Sequence, residues 1–357
     1  MSRNLLIITQ SVDEQKGVLE FFVEWIRELA KHFNHIDVIT LSQGHFNLPE
    51  NVKVYSLGKD SGVQKPLRWV RVVFLLSKLV HKSDTVFAHM SPIFAIVAWP
   101  FTFIGGKRLV LWYLHRSVTT KLKISTMLSD VVVTADADSL MFKNKKIIAI
   151  GHGINIDKFK IDRTGEFNHN LKIINVSRIT PIKNLDVLIE ALGILRDRGL
   201  MVEVDIVGTP MMKSDFIYFE KLKDLVTRID INSRINFIGY VPNNLLVKYF
   251  HKSDMSVGLT PKGGIDKVII EAMASGCITL TSNDVMEKYL NDESEDLIFK
   301  YRDSNDLANK LQHIMQLSSA RRKNIIDQLY KSAKDNFAVE PFINKLSSIL
   351  YNNQPTS

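Results

Sequence analysis

The stretch PKGGIDKVIIEAMASGCITLTSND, residues 261–284, decides how this chain folds. Gly263 and Gly264 mark a loop, and a helix start follows at Asp266 and Lys267. The run from Val268 to Ala274 reads as a short helix around one carboxylate, Glu271; Gly276 stops it, and Cys277–Thr281 reads as a buried strand. Free N–H groups at a helix N-terminus point outward with partial positive charge, so such a junction suits a phosphate or a sugar. Glu271 lies one to two turns in, within reach of a ligand's hydroxyls.

Working outward, strands and helices alternate along the whole chain, which predicts an α/β protein with parallel sheets covered on both faces. Predicted strands are Asn4–Thr9, Ile36–Thr40, Val52–Tyr55, Thr85–Ala88, Leu109–Tyr113, Asp130–Thr134 and Lys146–Ile150, then Leu171–Val176, Glu203–Val207, Ile235–Ile238, Met255–Val257, Ile278–Thr281 and Leu297–Phe299. Helices fill the gaps, among them Ala137–Phe142, and the chain ends in three helical segments, the last Val339–Tyr351. The polar connector Asn155–Asn170 has no apolar period and marks a domain boundary. The expected domains are residues 1–155, residues 156–338 and a C-terminal segment, 339–357. Ligands of open α/β sheets bind at strand C-terminal ends.

Composition excludes several classes. With 45% apolar and 24% charged residues, the chain is globular rather than disordered. One cysteine, Cys277, rules out an intramolecular disulfide and fits a reducing compartment. The longest apolar run, Ile93–Ile104, is too short to span a bilayer and is interrupted by Pro100; it reads as a buried helix. The net charge of +8 is uneven: residues 1–155 hold 19 Lys and Arg against 12 Asp and Glu. That excess suits an anionic lipid or a diphosphate-bearing acceptor, and no nucleic-acid motif accompanies it. In KPLRWVRVVFLLSKLVHK, residues 65–82, cations interleave with Trp69, Phe74 and leucines. Such a helix either lies on an anionic membrane or packs inward with a basic outer face.

Several residues can carry chemistry. Gly17, near the first helix start, lets a backbone approach a phosphate or sugar, or serves a turn alone. No G-x-G-x-x-G follows the first strand, against a dinucleotide dehydrogenase. In NVSRITPIKNLDVLIEAL, residues 175–192, Arg178 and Lys183 are spaced to converge on one diphosphate, where fixed positive charge favours a departing leaving group. His115 follows a strand in LWYLHRSV and suits a sugar hydroxyl; His89 also ends a strand, and His152 sits between Gly151 and Gly153 at a hinge. No metal-ligand spacing and no Asp-x-Asp motif occur, so chemistry without a bound metal or other cofactor is expected.

Residues 176–282 resemble the retaining family 4 glycosyltransferases (glycosyl transferases group 1), in the KNLD run, in FIGYVPNNLL at 237–246, and in EAMASG from Glu271. The resemblance covers nearly the whole chain in order. It implies the GT-B fold: two doubly wound Rossmann-like domains with parallel sheets facing a central cleft, and a C-terminal helix crossing back to the N-terminal domain. The first domain would bind acceptor and the second a nucleotide-sugar donor. It further implies that Glu271 holds the donor ribose, Tyr240 and Val241 lie by the base, and Gly264, Ile265, Asp266 and Lys267 face the sugar and distal phosphate. The family's first Glu would fall on position 263, which is Gly263. Asp266 could replace it as a hydroxyl acceptor, or act only as an N-cap. The implied activity is metal-independent transfer, with retention, from a UDP-, GDP- or other nucleotide-diphosphate sugar to a glycan or lipid-linked acceptor. Polysaccharide or glycolipid biosynthesis at the cytoplasmic face of the membrane is the implied setting. A sugar-nucleotide epimerase of similar fold and a non-catalytic sugar-nucleotide-binding relative are the alternatives.

Overall fold

The computed structural model describes residues 3–15, 19–114, 117–136, 140–167, 171–260, 263–290 and 293–351. The chain divides into two units, Met1–Gly153 with Val339–Ser357, and Ile154–Ala338.

The first unit runs β1 (Asn4–Val12), α1 (Glu20–Leu29), β2 (His35–Gln43), β3 (Val52–Ser56), α2 (Lys65–Leu79), β4 (Thr85–His89), α3 (Pro92–Gly105), β5 (Arg108–Trp112), α4 (Thr120–Leu128), β6 (Val131–Thr134) and β7 (Ile147–Ala149). Its seven strands pair in the order β3-β2-β1-β4-β5-β6-β7, every pair parallel. Central strands covered on both faces read as unbroken apolar runs, and Leu5–Ile8, Val86–Ala88 and Leu109–Trp112 are sealed from solvent. The C-terminal helix, Val339–Tyr351, belongs to this unit. Thr85 Oγ1 donates to Leu350 O at 2.8 Å, Tyr351 stacks on Phe33, and Phe342 lies 4.4 Å from the Trp25 ring.

His89 ends β4 and His152 follows β7 next to the division after Gly153, as expected, and both are walled in by aromatic rings. The His89 ring stacks on Phe22 at 3.5 Å, and its Nδ1 pairs with Thr9 Oγ1. His152 lies 5.1 Å from Trp25 and 6.0 Å from Trp112. Trp25 Nε1 donates to Gly153 O at 2.9 Å, closing the cluster.

The second unit runs β8 (Lys172–Val176), α5 (Leu185–Asp197), β9 (Glu203–Val207), α6 (Lys213–Arg228), β10 (Ile235–Gly239), α7 (Asn243–His251), β11 (Met255–Gly258), α8 (Lys267–Ala274), β12 (Ile278–Thr281), α9 (Glu287–Leu290), α10 (Ser294–Leu297), α11 (Ser304–Gln316) and α12 (Ser319–Phe337); the C-terminal helix already described is α13. Five parallel strands order β10-β9-β8-β11-β12, so the winding reverses between β8 and β11.

Four expectations change. The connector 155–170 is not a free linker at its start: Ile156 and Phe159 are buried, and His251 Nε2 pairs with Phe159 O at 3.0 Å. Arg163 donates to the carbonyls of Ser275, Phe250 and His251, so its polar sequence conceals a clasp on the ends of α7 and α8. The strand expected at Leu297–Phe299 is the end of α10 followed by a single bridge from Ile298 to Thr281. The described part of the expected helix Ala137–Phe142, residues 140–142, is not helical, and its remainder lies outside the described residues. The alternative in which α2 packs inward with a basic outer face holds only in part: Val72, Leu76 and Leu79 are buried, whereas Val70 is 64% and Phe74 56% exposed.

Candidate functional site

The site grows from the reversal point of the second sheet, where the loops after β8 and β11 leave in opposite directions and open a crevice at the strand ends. The loop after β8 ends in a single tight turn, Pro181–Lys183, and Asn184 takes the left-handed conformation at φ +46°. Asparagine tolerates that region because its short amide bonds locally. Here the amide also reaches across the crevice, donating to Leu259 O at 3.2 Å. The two loops are therefore stitched together before any ligand arrives.

Lys183 makes the second stitch. Its Nζ donates to Thr260 Oγ1 at 2.9 Å, and Thr260 Oγ1 donates to Asp266 Oδ2 at 2.8 Å. Asp266 Oδ1 accepts the Val268 N–H at 3.2 Å as the N-cap of α8. Asp266 is thus a cap whose second oxygen holds the cation's partner in place. Asn283, fully buried, donates to Gly264 O at 2.8 Å and fixes the glycine turn in front of the helix. Ile265 packs inward beneath that turn.

Glu271 is 6% exposed, and its Oε1 accepts from Asn243 Nδ2 at 3.2 Å. Burial pushes its carboxyl up to about 7, against the opposing pull of Asn243, Lys267 and Lys158. Lys267 stands one turn before it on the same face. Burial pushes the Lys267 amine well below its usual value, and Glu271 counteracts this. A carboxylate there can accept from two hydroxyls at once, which suits a vicinal diol.

Arg178 is exposed on the β8 loop. Its charge acts on Asp215, at the start of α6. Hydrogen bonds from Thr180 and the Met212 N–H, with Met211 N–H and the Arg178 charge, hold that carboxyl below its usual range. Gly208 brings the β9 loop against this strand end: at φ +142°, a Cβ there would sit 1.9 Å from Ser177 O. Tyr240 is 53% exposed and Val241 half-buried after β10, where Gly239 turns the chain at φ +84°.

The structure therefore links Lys183 to Asp266 through Thr260 and places Glu271 and Lys267 on the helix that Asp266 caps. Arg178, Tyr240 and Val241 sit on neighbouring loops of the same sheet end. Gly17 and His115 lie outside the described residues. Sequence reasoning missed Thr260, Asn243 and Asn283. Thr260 lies two residues beyond the short strand β11 and Asn243 opens α7 after Pro242, so their positions in the loops after strands were the available signal. No group of three or more His, Cys, Asp or Glu able to hold a metal occurs among the described residues.

Residues 157–332 match the family model described as Glycosyl transferases group 1. Over 144 residues the chain is 28% identical to an amylovoran biosynthesis glycosyltransferase, AmsK, of Erwinia amylovora; the match covers 39% of this chain and 34% of that relative, about a third of its length. HepE of Anabaena, solved in complex with UDP, superposes with a TM-score of 0.76 at 18% identity, over 97% of this chain and 99% of that one. Sucrose-phosphate synthase of Thermosynechococcus elongatus superposes equally, TM-score 0.76 at 15% identity, over 97% and 98%. These structural likenesses establish the GT-B fold.

Proposed function

Because residues 157–332 belong to the glycosyl transferases group 1 family, we propose that this protein transfers a sugar, with retention, from a nucleotide-diphosphate sugar to a glycan or lipid-linked acceptor. The observation that carries the reading is the Lys183–Thr260–Asp266 chain across the reversal point of the second sheet. It holds a cation at the strand ends, next to a capped helix bearing a buried carboxylate. Lys183 and Arg178 take the donor diphosphate, Glu271 the ribose diol, Tyr240 and Val241 the base. The turn Gly264–Lys267 faces the sugar. HepE, solved in complex with UDP and with UDP-glucose, makes UDP-glucose the first donor to test.

In the proposed reaction the bond between the sugar's anomeric carbon and the diphosphate oxygen breaks, and its electron pair stays on the diphosphate. Fixed charge at Lys183 and Arg178 stabilises that growing negative charge. The acceptor hydroxyl attacks the same face of the sugar, and its proton passes to the departing diphosphate. None of these steps uses a metal or a cofactor. His115 and Gly17 complete the proposed set, shaping the acceptor pocket and the approach to the donor.

The exposed apolar residues of α2, interleaved with Lys65, Arg68, Arg71 and Lys78, support peripheral contact with an anionic membrane, as a lipid-linked acceptor requires. No helix among the described residues is long and apolar enough to cross a membrane.

The test is a thermal-shift panel of nucleotide sugars, followed by incubation of the stabilising donor with and without lipid-linked and free glycan acceptors. Release of nucleotide diphosphate with transfer of sugar is expected. Epimerised donor in the absence of acceptor would instead identify an isomerase.

A further inference from the structure

The first unit carries a second polar basin at the opposite end of its sheet from the strand C-termini. Arg3 precedes β1, Asp84 precedes β4, Arg108 opens β5 and Asp130 precedes β6. Together with Trp99, Phe103, Lys107, Leu128 and Lys146 they line a basin of about 1070 Å³. The local sequence explains its shape. Gly106 ends α3 at φ +60°, and Lys107 N–H returns to Thr102 O at 2.8 Å, so Lys107 and Arg108 follow the helix without a spacer.

We propose that this basin binds a phosphate group attached to an aromatic or apolar body. Arg108 is nine-tenths buried, yet its Nε has no hydrogen-bond partner and it forms no ion pair among the described residues. A buried Nε–H without a partner is costly, so a hydrogen-bond acceptor is the missing element. The two carboxylates nearby are committed elsewhere: Asp130 Oδ2 accepts the Leu109 N–H at 2.7 Å, and Asp84 Oδ2 the Asn4 N–H at 2.8 Å. Burial and the like charge of Arg3 act against the Arg108 cation, and Asp130 acts for it. With Arg3, Lys107 and Lys146 also present, cations outnumber carboxylates around the basin, which suits a dianion. The volume exceeds what a bare phosphate fills and matches a ligand pocket. On its wall Trp99 and Phe103 stack at 5.2 Å, with Phe103 71% exposed, so the remainder of the ligand meets aromatic surface. The group can come from a soluble aryl or nucleoside phosphate or from a lipid headgroup.

Two probes separate these sources: phenyl phosphate by calorimetry, and phosphatidylglycerol-containing vesicles by co-sedimentation, with inorganic phosphate as the comparison. Arg108→Gln is expected to weaken the responding probe at least tenfold. A phenyl phosphate response identifies the soluble source and a vesicle response the lipid one. Should Arg108→Gln melt early, the double variant Arg3→Gln/Lys107→Gln, which changes only half-buried residues, is expected to weaken the same probe with the melting point kept. Wild-type binding of neither probe, or equal binding by the folded variants, overturns the proposal. UDP binding serves as the control. It is expected to depend on Lys183 and not on Arg108, so failure of the donor reading leaves this test intact.

Discussion

At the C-terminal ends of their strands the two units use polar residues in opposite ways. In the Ile154–Ala338 unit, Lys183, Thr260 and Asp266 form a hydrogen-bonded chain across loops, and their donors and acceptors are aligned with one another. In the first unit, His89 and His152 occupy comparable strand ends but are pressed against Phe22, Trp25 and Trp112. Position in a doubly wound sheet brings a side chain to the place where ligands bind. Its immediate neighbours then determine whether it is offered to a ligand or consumed by the core. The contrast predicts which substitutions should disable chemistry and which should disable folding.

The largest effect is expected for Lys183→Ala. Removing one preorganised charge contact costs about 2–4 kcal/mol of barrier, or roughly thirty- to a thousandfold in turnover. The melting point should move little, because Asn184 still ties the two loops. His89→Ala should do the reverse, lowering stability by about 2–4 kcal/mol as its stacked ring is lost, with turnover per folded molecule kept. Steady-state kinetics paired with calorimetry checks both. If His89→Ala folds normally and is inactive, the contrast between the units fails.

A pair of glycines sharpens the same comparison through the backbone. Gly208→Ala places a Cβ against the Ser177 carbonyl at 1.9 Å with φ at +142°, so neither contact nor dihedral can relax cheaply. A loss of about 3–4 kcal/mol is expected. Gly153→Ala meets the Phe342 ring at 2.5 Å, a side chain that can rotate, and φ there is not in the left-handed region. Its cost should be smaller, about 1–3 kcal/mol. Chemical denaturation of both variants tests the order, and the reverse order would show that the first unit's aromatic cluster is the stiffer of the two.

These cases also show what was legible beforehand. Alternating apolar runs placed nearly every strand of both sheets, because parallel strands covered on both faces leave an uninterrupted apolar signature. The EAMASG segment and the KNLD run located Glu271 and Lys183 through their resemblance to a family. Burial of a histidine by rings distant in sequence leaves no local mark, so His89 reads as a strand-end candidate and His152 as part of a hinge, with nothing in the sequence to show Phe22, Trp25 and Trp112 around them. The connector was misread for a related reason: Arg163 is polar in composition, and the carbonyls it clasps belong to helix ends 87 and 112 residues away. Asp266 was readable both as a ligand and as a cap. The hydrogen bonds it accepts from Val268 and Thr260 show the cap, the role that local spacing alone could indicate.

Glu271 supplies the pH dependence. A rise from 4.5 to about 7 means the folded state holds its proton where the unfolded state has lost it. Stability from this group is therefore present below about pH 4.5 and is lost as pH rises through 7, a change on the order of 3 kcal/mol. Glu271→Gln removes the titration, so its melting point should gain on wild type as pH is raised from 5 to 8. A ribose diol that donates to the carboxylate favours the ionised form, so donor binding near pH 7 should release a proton. Calorimetry in buffers of different ionisation enthalpy reads that release directly, and its absence would remove Glu271 from the ribose contact.

The smallest effect belongs to Asp266, and it discriminates between the two roles considered for that residue. As a cap, Asp266→Ala should cost about 1 kcal/mol of stability. Thr260 would then lose its acceptor, and Lys183 would hold its position less firmly, so KM for the donor should rise severalfold for every nucleotide sugar alike. Asp266→Asn keeps an oxygen for the Val268 N–H and should restore the stability. If Asp266 instead touched the sugar, the loss would differ between donors with different hydroxyl configurations, and Asn would not restore the original preference. A donor panel measured for both variants separates the outcomes. The hydrogen-bond chain from Lys183 favours the uniform loss, because each oxygen of Asp266 already serves a neighbour within its own unit.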